Sequence, residues 1–346
     1  MKRTELESCV YYHLKDNNKP NPRKKKIINK IVTLDSFVKN ELTNIEKIKT
    51  IPHYKKYYYV CENSSELLLT ELDENVNYLK TSKNTSVDNS ILLKYEDNEL
   101  IYLKKYLKTC SLSSPKIYII NLINIYEKLL ITINQLLNER IVHNFINMDS
   151  IYIFEEEAIL TNFAFSIDIS NSNMNEYIKH FFLKYDPEFI EWPPEFHILS
   201  YLITNKLNSL SINNIENIID NLIENQTILK TFGDDFVSMY KKDSLNYFQK
   251  YINQSFEYIL NDILQFYGTW DNYALSIMFL RIIININSKN KFIILFLNLL
   301  VSNIHLNPLK RQTISFTIKN FNNLLDSLEP KVWNDLLNNL MTSRSS

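Results

Sequence analysis

Ile141-Val142-His143-Asn144-Phe145-Ile146-Asn147-Met148-Asp149-Ser150-Ile151-Tyr152-Ile153 is the most informative stretch of this 346-residue chain, and Thr161-Asn162-Phe163-Ala164-Phe165-Ser166 follows eight residues later. Apolar positions recur through both pieces, and residues 151–154 and 158–161 read as short strands joined by the acidic turn Glu155-Glu156-Glu157. Upstream, Ile120, Ile123, Tyr126, Leu130, Ile133 and Leu137 recur at helical spacing within 117–139, which predicts one long helix feeding the stretch. Downstream of Trp192 the pattern is nearly all helical.

Further outward, three more segments stand in order. They are Trp192-Pro193-Pro194-Glu195, Trp270-Asp271-Asn272-Tyr273-Ala274-Leu275-Ser276-Ile277 and Asn307-Pro308-Leu309-Lys310-Arg311-Gln312-Thr313-Ile314. The first stretch resembles the protein-kinase catalytic loop, I-V-H-R-D-I-K-P-D-N-I-L-I, without a gap. Thr161 to Ser166 stands where that family has D-F-G. The three later segments resemble, in turn, the A-P-E motif, the start of the buried central helix and the D-P-x-x-R-P-T-I near the end of the domain.

The resemblance implies an α+β, bilobal protein-kinase-like fold. Residues 1–110 would form a degenerate N-terminal lobe of antiparallel sheet plus one helix. Residues 111–346 would form a helical C-terminal lobe, with the change of character near 108–115. Glu195 and Asp271 are 76 positions apart, more than the family usually has. The excess, about 205–268, reads as inserted helices, the first with Ile215, Ile218, Ile219, Leu222 and Ile223 on one face.

In the N-terminal third, Val10 to Leu14, Ile27 to Val32, Tyr57 to Cys61, Glu66 to Leu72, Ile91 to Tyr95 and Leu100 to Leu103 read as strands. Asp35 or Ser36 can cap a helix running to about Lys49, ended by Pro52. Ile27-Ile28-Asn29-Lys30 resembles the V-A-I-K strand, and Phe37 to Leu42 resembles the helix bearing its ion-pair glutamate. Lys30 and Glu41 would then be a vestigial phosphate-site pair, although ordinary surface charges fit the sequence as well.

The family's three catalytic positions are substituted. Kinases place there an aspartate that accepts the hydroxyl proton, an asparagine on one Mg²⁺ and the D-F-G aspartate on Mg²⁺. Here they are Phe145, Ser150 and Asn162. Phenylalanine neither accepts a proton nor ligates a metal, and a neutral amide is a poor replacement for a carboxylate on a hard cation. Asp149 aligns with an acid that kinases already possess. Asp168, four residues past Ala164, would need an unusual backbone path to stand in. By the same resemblance His143 is a packing histidine, Asp271 holds the catalytic-loop backbone, and Glu195 and Arg311 form a buried ion pair.

Composition narrows the functions further. The chain has two glycines, Gly233 and Gly268, so no glycine-rich phosphate loop exists in the first 232 residues. Cys9, Cys61 and Cys110 are widely spaced, which argues against a zinc site or a disulfide framework and fits a reducing compartment. A net charge of −1 gives no chain-wide electrostatic argument for nucleic acid or an anionic membrane. The basic run Arg23 to Lys26 reads as a solvated loop. No apolar segment follows the N-terminal charges as in a signal peptide, and the longest apolar run, Phe292 to Val301, is half a membrane span.

These readings lead to a non-catalytic pseudokinase without cofactor, doubtful in nucleotide binding, that binds an unidentified protein partner as a scaffold or regulatory component. The alternative is a weak or atypical serine/threonine kinase. The motif style, including EWPPEFHILSYL at 191–202, resembles kinase-like proteins of large nucleocytoplasmic DNA viruses. That resemblance implies the host cytoplasm or the virion, and the heavy use of Asn, Ile, Lys and Tyr is compatible with an AT-rich genome.

Overall fold

The computed structural model describes residues 10–12, 27–66, 90–171, 178, 185–286, 290–330 and 332. It is an α+β protein with a four-stranded antiparallel sheet near the N-terminus and a larger helical part. The sheet contains β1 (Val10–Tyr12), β2 (Ile27–Thr33), β3 (Asn63–Glu66) and β4 (Ser90–Glu96) in the order β1-β2-β4-β3. Ile31 and Val32 of β2, both buried, pair with Leu92 and Ile91 of β4, and β4 alternates so that Ile91 and Leu93 face the core. Most of the strand expected at 66–72 lies outside the described residues.

Helix α1 (Ser36–Ile48) begins where the Asp35 carboxylate accepts from the Val38 amide at 2.9 Å. It ends at Ile48, before Pro52.

Two expectations are corrected here. Residues 57–61 form no strand in this sheet; they make one parallel bridge, Tyr58 to Leu160. Tyr58 is buried and its hydroxyl donates to the Thr132 carbonyl at 2.8 Å, so side-chain packing rather than pleating sets this segment's path. The short strand β5 (Ile101–Tyr102) also leaves the sheet and pairs with a strand 50 residues on.

Helix α2 (Leu103–Ser113) follows at once, so the helical part starts ahead of 108–115. Leu103, Leu107 and Cys110 bury one side of it. Helix α3 (Pro115–Asn138) opens on proline, which costs nothing at a first turn. Among the described residues it alone has the length and apolarity to cross a membrane, and half of that window is buried inside the protein. Its Tyr126 meets Phe279, Phe296 and Phe321 edge-on at 4.8, 4.9 and 4.9 Å, which makes α3 a core helix.

Then come β6 (Ile141–Val142), β7 (Ile151–Phe154), β8 (Glu157–Leu160) and β9 (Ile167–Asp168). β5, β7 and β8 form one small antiparallel sheet, and β6 pairs with β9. The β7–β8 turn is the two-residue type with both central residues left-handed, Glu155 at φ 49° and Glu156 at φ 66°.

The remaining helices are α4 (Pro194–Thr204), α5 (Ile212–Asn225), α6 (Thr227–Lys230), α7 (Asp234–Phe248), α8 (Phe256–Ile263), α9 (Trp270–Ile283), α10 (Lys291–Asn303) and α11 (Ile314–Asp326). Helices α5 to α8 occupy the stretch expected to be inserted. Ser211 and Asn214 cap α5 reciprocally, and the four expected isoleucines and one leucine are the residues it buries. Helix α9 is buried on nearly all sides and packs against α3 and α10.

Candidate functional site

The loop between β6 and β7 is fixed from below by the first turn of α9. Asp271 accepts from the His143 amide at 2.7 Å and from the Asn144 amide at 2.8 Å. Burial raises the Asp271 carboxyl to about 6, although both amides pull the other way. From above, Trp192 Nε1 donates to the Asn144 carbonyl at 2.9 Å. Asn144 can serve as the pivot because asparagine tolerates its left-handed φ of 60°.

His143 is fully buried. Its Nε2 lies 2.9 Å from the Thr161 carbonyl, and its Nδ1 lies 3.3 Å from the Phe145 amide. Those partners require a proton on Nε2 and a lone pair on Nδ1, hence a neutral ring. Burial pushes its pKa down to about 4 despite the Thr161 carbonyl. The ring also meets Phe163 edge-on at 5.1 Å. His143 thus packs and positions.

Phe145 and Ser150 lie on this loop, and Asn162 follows β8, next to Thr161, whose amide donates to the Ser150 carbonyl at 2.9 Å. Phe145 is stacked between Phe165, at 4.8 Å and 14°, and Phe189, at 5.3 Å and 16°. Beyond the stack, Phe165 meets Phe37 of α1 at a tilt at 5.2 Å, and Phe189 meets Trp192 edge-on at 4.8 Å. The Ser150 hydroxyl is turned back on the loop, donating to the Asn147 carbonyl at 3.0 Å and accepting from its amide at 3.1 Å. Asn162 is exposed with φ 66°. No acid replaces Phe145 from Asp168. That carboxylate sits on β9 with Lys47 at 2.9 Å and the Ser170 hydroxyl at 2.6 Å. Burial would raise it, but those partners outweigh burial and hold it below the usual carboxylate range.

Lys30 on β2 and Glu41 on α1 are brought within electrostatic reach of each other. Burial raises the Glu41 carboxyl, while the Lys30 charge and a hydrogen bond from the Phe163 amide oppose it. Neighbours on the same face of α1 tie the helix to the 162–170 segment. Asn40 Nδ2 donates to the Ala164 and Ser166 carbonyls at 3.0 and 2.8 Å, and Asn44 Nδ2 to Ser166 at 3.0 Å. Phe37, Asn40, Glu41, Asn44 and Lys47 thus dock one helix face onto one loop.

Far from the loop in sequence, Arg311 Nη2 donates to Glu195 Oε2 at 2.5 Å, with both side chains fully buried. Arg311 also donates to Thr269 at 3.3 Å and lies over the Tyr273 ring at 5.3 Å. Among the described residues, no group of three His, Cys, Asp or Glu side chains is placed to hold a metal.

Asn40 and Asn44 as clamps, and Phe189 as the outer ring of the stack, are residues that sequence reasoning missed. Helical spacing of polar residues next to Glu41 was the available signal for the first. A scan against protein-family models finds no match, and a search of the curated proteins finds no relative.

A pH measurement tests the burial of these groups. His197 of α4 is 0% exposed between Tyr185 and Trp192, and burial pushes its pKa down to about 4. The unfolded chain therefore binds more protons than the native one between about 4 and 6.5, and stability drops as pH falls through that window. His197→Leu should reduce the slope of unfolding free energy against pH there by at most about 1.4 kcal/mol per pH unit. Urea titrations at several pH values read it directly; an unchanged slope would mean that His197 is accessible to protons in the native state.

Proposed function

We propose that this chain is a pseudokinase, a bilobal protein-kinase-like molecule that no longer transfers phosphate and serves as a protein-binding scaffold. The observation that carries this reading is the stack of Phe145 between Phe165 and Phe189, at the position where the resembling family keeps its general base. A positioned base contributes about 10²–10⁴ in rate. Without metal-held charge stabilisation several kcal/mol more are lost. From a typical turnover of about 10 s⁻¹, little remains.

The Ser150 hydroxyl, committed to Asn147, and the neutral, exposed Asn162 support the same reading on the metal side. The contacts of Asp271 with the loop and the Glu195–Arg311 pair support an inherited architecture without its chemistry. One observation favours a residual kinase instead: Lys30 and Glu41 remain close together. Both charges can persist for packing once the base is gone, so the scaffold reading is preferred.

Thermal unfolding with ATP, with and without Mg²⁺, tests it. A ligand at about a hundred times its Kd adds about 2.7 kcal/mol to stability, which is visible as a raised Tm. The expected result is no metal-dependent rise and no phosphate transfer to peptide or to the chain itself. Phe145→Asp should restore no transfer, because Ser150 and Asn162 still offer no metal site. Transfer by the wild type that Lys30→Ala abolishes would overturn the proposal.

A further inference from the structure

The net charge of −1 averages over an uneven surface. From Leu100 to Tyr126, across β5, α2 and the first half of α3, there is no acidic residue and there are four lysines, Lys104, Lys105, Lys108 and Lys116. All four are exposed, and none has an ion-pair partner among the described residues. Seven lysines elsewhere do have such partners. Lys104, Lys108 and Leu112 lie one turn apart on a single stripe of α2, opposite buried Leu103, Leu107 and Cys110.

The stripe ends in apolar surface. Leu112, in the last turn of α2, is 72% exposed, and Ile117 and Ile120 in the first turns of α3 are 48% and 36% exposed. Asn121 of α3 bonds Tyr106 at 3.0 Å and Cys110 at 3.4 Å on α2, so the two helices are fixed as a hairpin with these side chains at and beside its tip. Glu99 and Glu127 bound the stretch in sequence, Glu156 acts on Tyr106, and Glu157 is already paired with Lys128 at 2.6 Å.

We propose that the tip of the α2–α3 hairpin docks on an anionic lipid bilayer, with Leu112, Ile117 and Ile120 entering the interface and the four lysines meeting the headgroups. Cationic residues beside protruding aliphatic ones are the pairing that interfacial binding needs. A fluid surface suits a protruding apolar tip, whereas a protein partner would have to bring both a matching recess and a ring of carboxylates. This inference is independent of the pseudokinase reading.

The test is flotation of the full chain with phosphatidylcholine vesicles, with or without about 30 mol% phosphatidylserine, at low and high salt. Binding is expected only with phosphatidylserine and should weaken as salt rises. Each lysine contributes about five-fold near such a surface, so Lys104→Gln with Lys108→Gln should lower partitioning about 25-fold. Leu112→Ser, which leaves the charge unchanged, should lower it about ten-fold. These are exposed positions, so unchanged thermal unfolding of both variants is the control. Equal binding to both vesicle types, no binding to either, or variants that bind like the wild type would overturn the proposal. So would binding of an acidic amphipathic peptide at this tip by a chain that ignores vesicles, which would make the face a protein-docking surface.

Discussion

Arg311→Ala should destabilise the protein by about 3–5 kcal/mol, because it strands the Glu195 carboxylate in the interior. Both side chains are 0% exposed, and one hydrogen bond of 2.5 Å joins them. The pair is also incompletely satisfied, since Glu195 Oε1 and Arg311 Nε have no hydrogen-bond partner among the described residues. Its own net contribution is therefore small even though breaking it is costly. Replacing both partners, Glu195→Leu with Arg311→Met, should cost far less than Arg311→Ala alone. Chemical denaturation of the wild type, both single variants and the double variant measures this as a coupling energy. If the double variant is as unstable as the sum of the singles, the two side chains act separately and the pairing carries no coupling.

Asp271→Ala comes next, at about 2–6 kcal/mol, because it leaves the buried amides of His143 and Asn144 each without an acceptor. An orphaned buried donor costs about 1–3 kcal/mol. Asp271→Asn keeps one acceptor and should fall between. The pH dependence has the opposite sign to that of His197. Burial raises the Asp271 pKa from its ordinary 3.8 to about 6, so the native state binds more protons than the unfolded one between those values. The stability this carboxyl contributes is fully present below about 4 and declines as pH rises through about 6. The gap between wild type and Asp271→Ala should narrow over that range in urea titrations, and a gap that widens would show that the carboxylate, not the acid, is the favoured form.

The parts of the molecule governed by local patterns could be read in the sequence. Asp35 at the start of α1, the isoleucine stripe of α5 and the acidic turn between β7 and β8, read as 155–157 and found at 155–156, each depend on neighbours a few positions away. Helix α2 was hidden because Leu100-Ile101-Tyr102-Leu103 is a short unbroken apolar run that reads as a strand, and the helix starts on its last residue. The destination of β5 was hidden for another reason: its partner β7 lies 50 residues away, and two residues carry too little pattern to choose a sheet.

The site divides in the same way. Phe145, Ser150 and Asn162 stand out in the sequence through a resemblance alone, and what fills the space around them could not be read there. The stack with Phe165 and Phe189 joins residues 20 and 44 positions from Phe145, and nothing local links the three rings. Likewise Asn40 and Asn44 look like poor helix formers until the Ala164 and Ser166 carbonyls are seen opposite them.

At ordinary usage of about 7%, a chain of this length would hold about 24 glycines, and this one holds two. Among the described residues, left-handed backbone is needed at Gly233 and at eight other positions, Glu155, Glu156, Arg140 and Lys206 included. Three of the eight are asparagines, which tolerate it, and at the other five a side chain in that conformation costs about 1 kcal/mol or more. Elsewhere the same scarcity works in reverse, because a chain with few glycines has fewer conformations to lose on folding, by about 0.4–1 kcal/mol per site. Scarcity of one residue thus acts on both ends of the folding equilibrium: the denatured ensemble is stiffer than usual, and the native backbone is more strained at its turns.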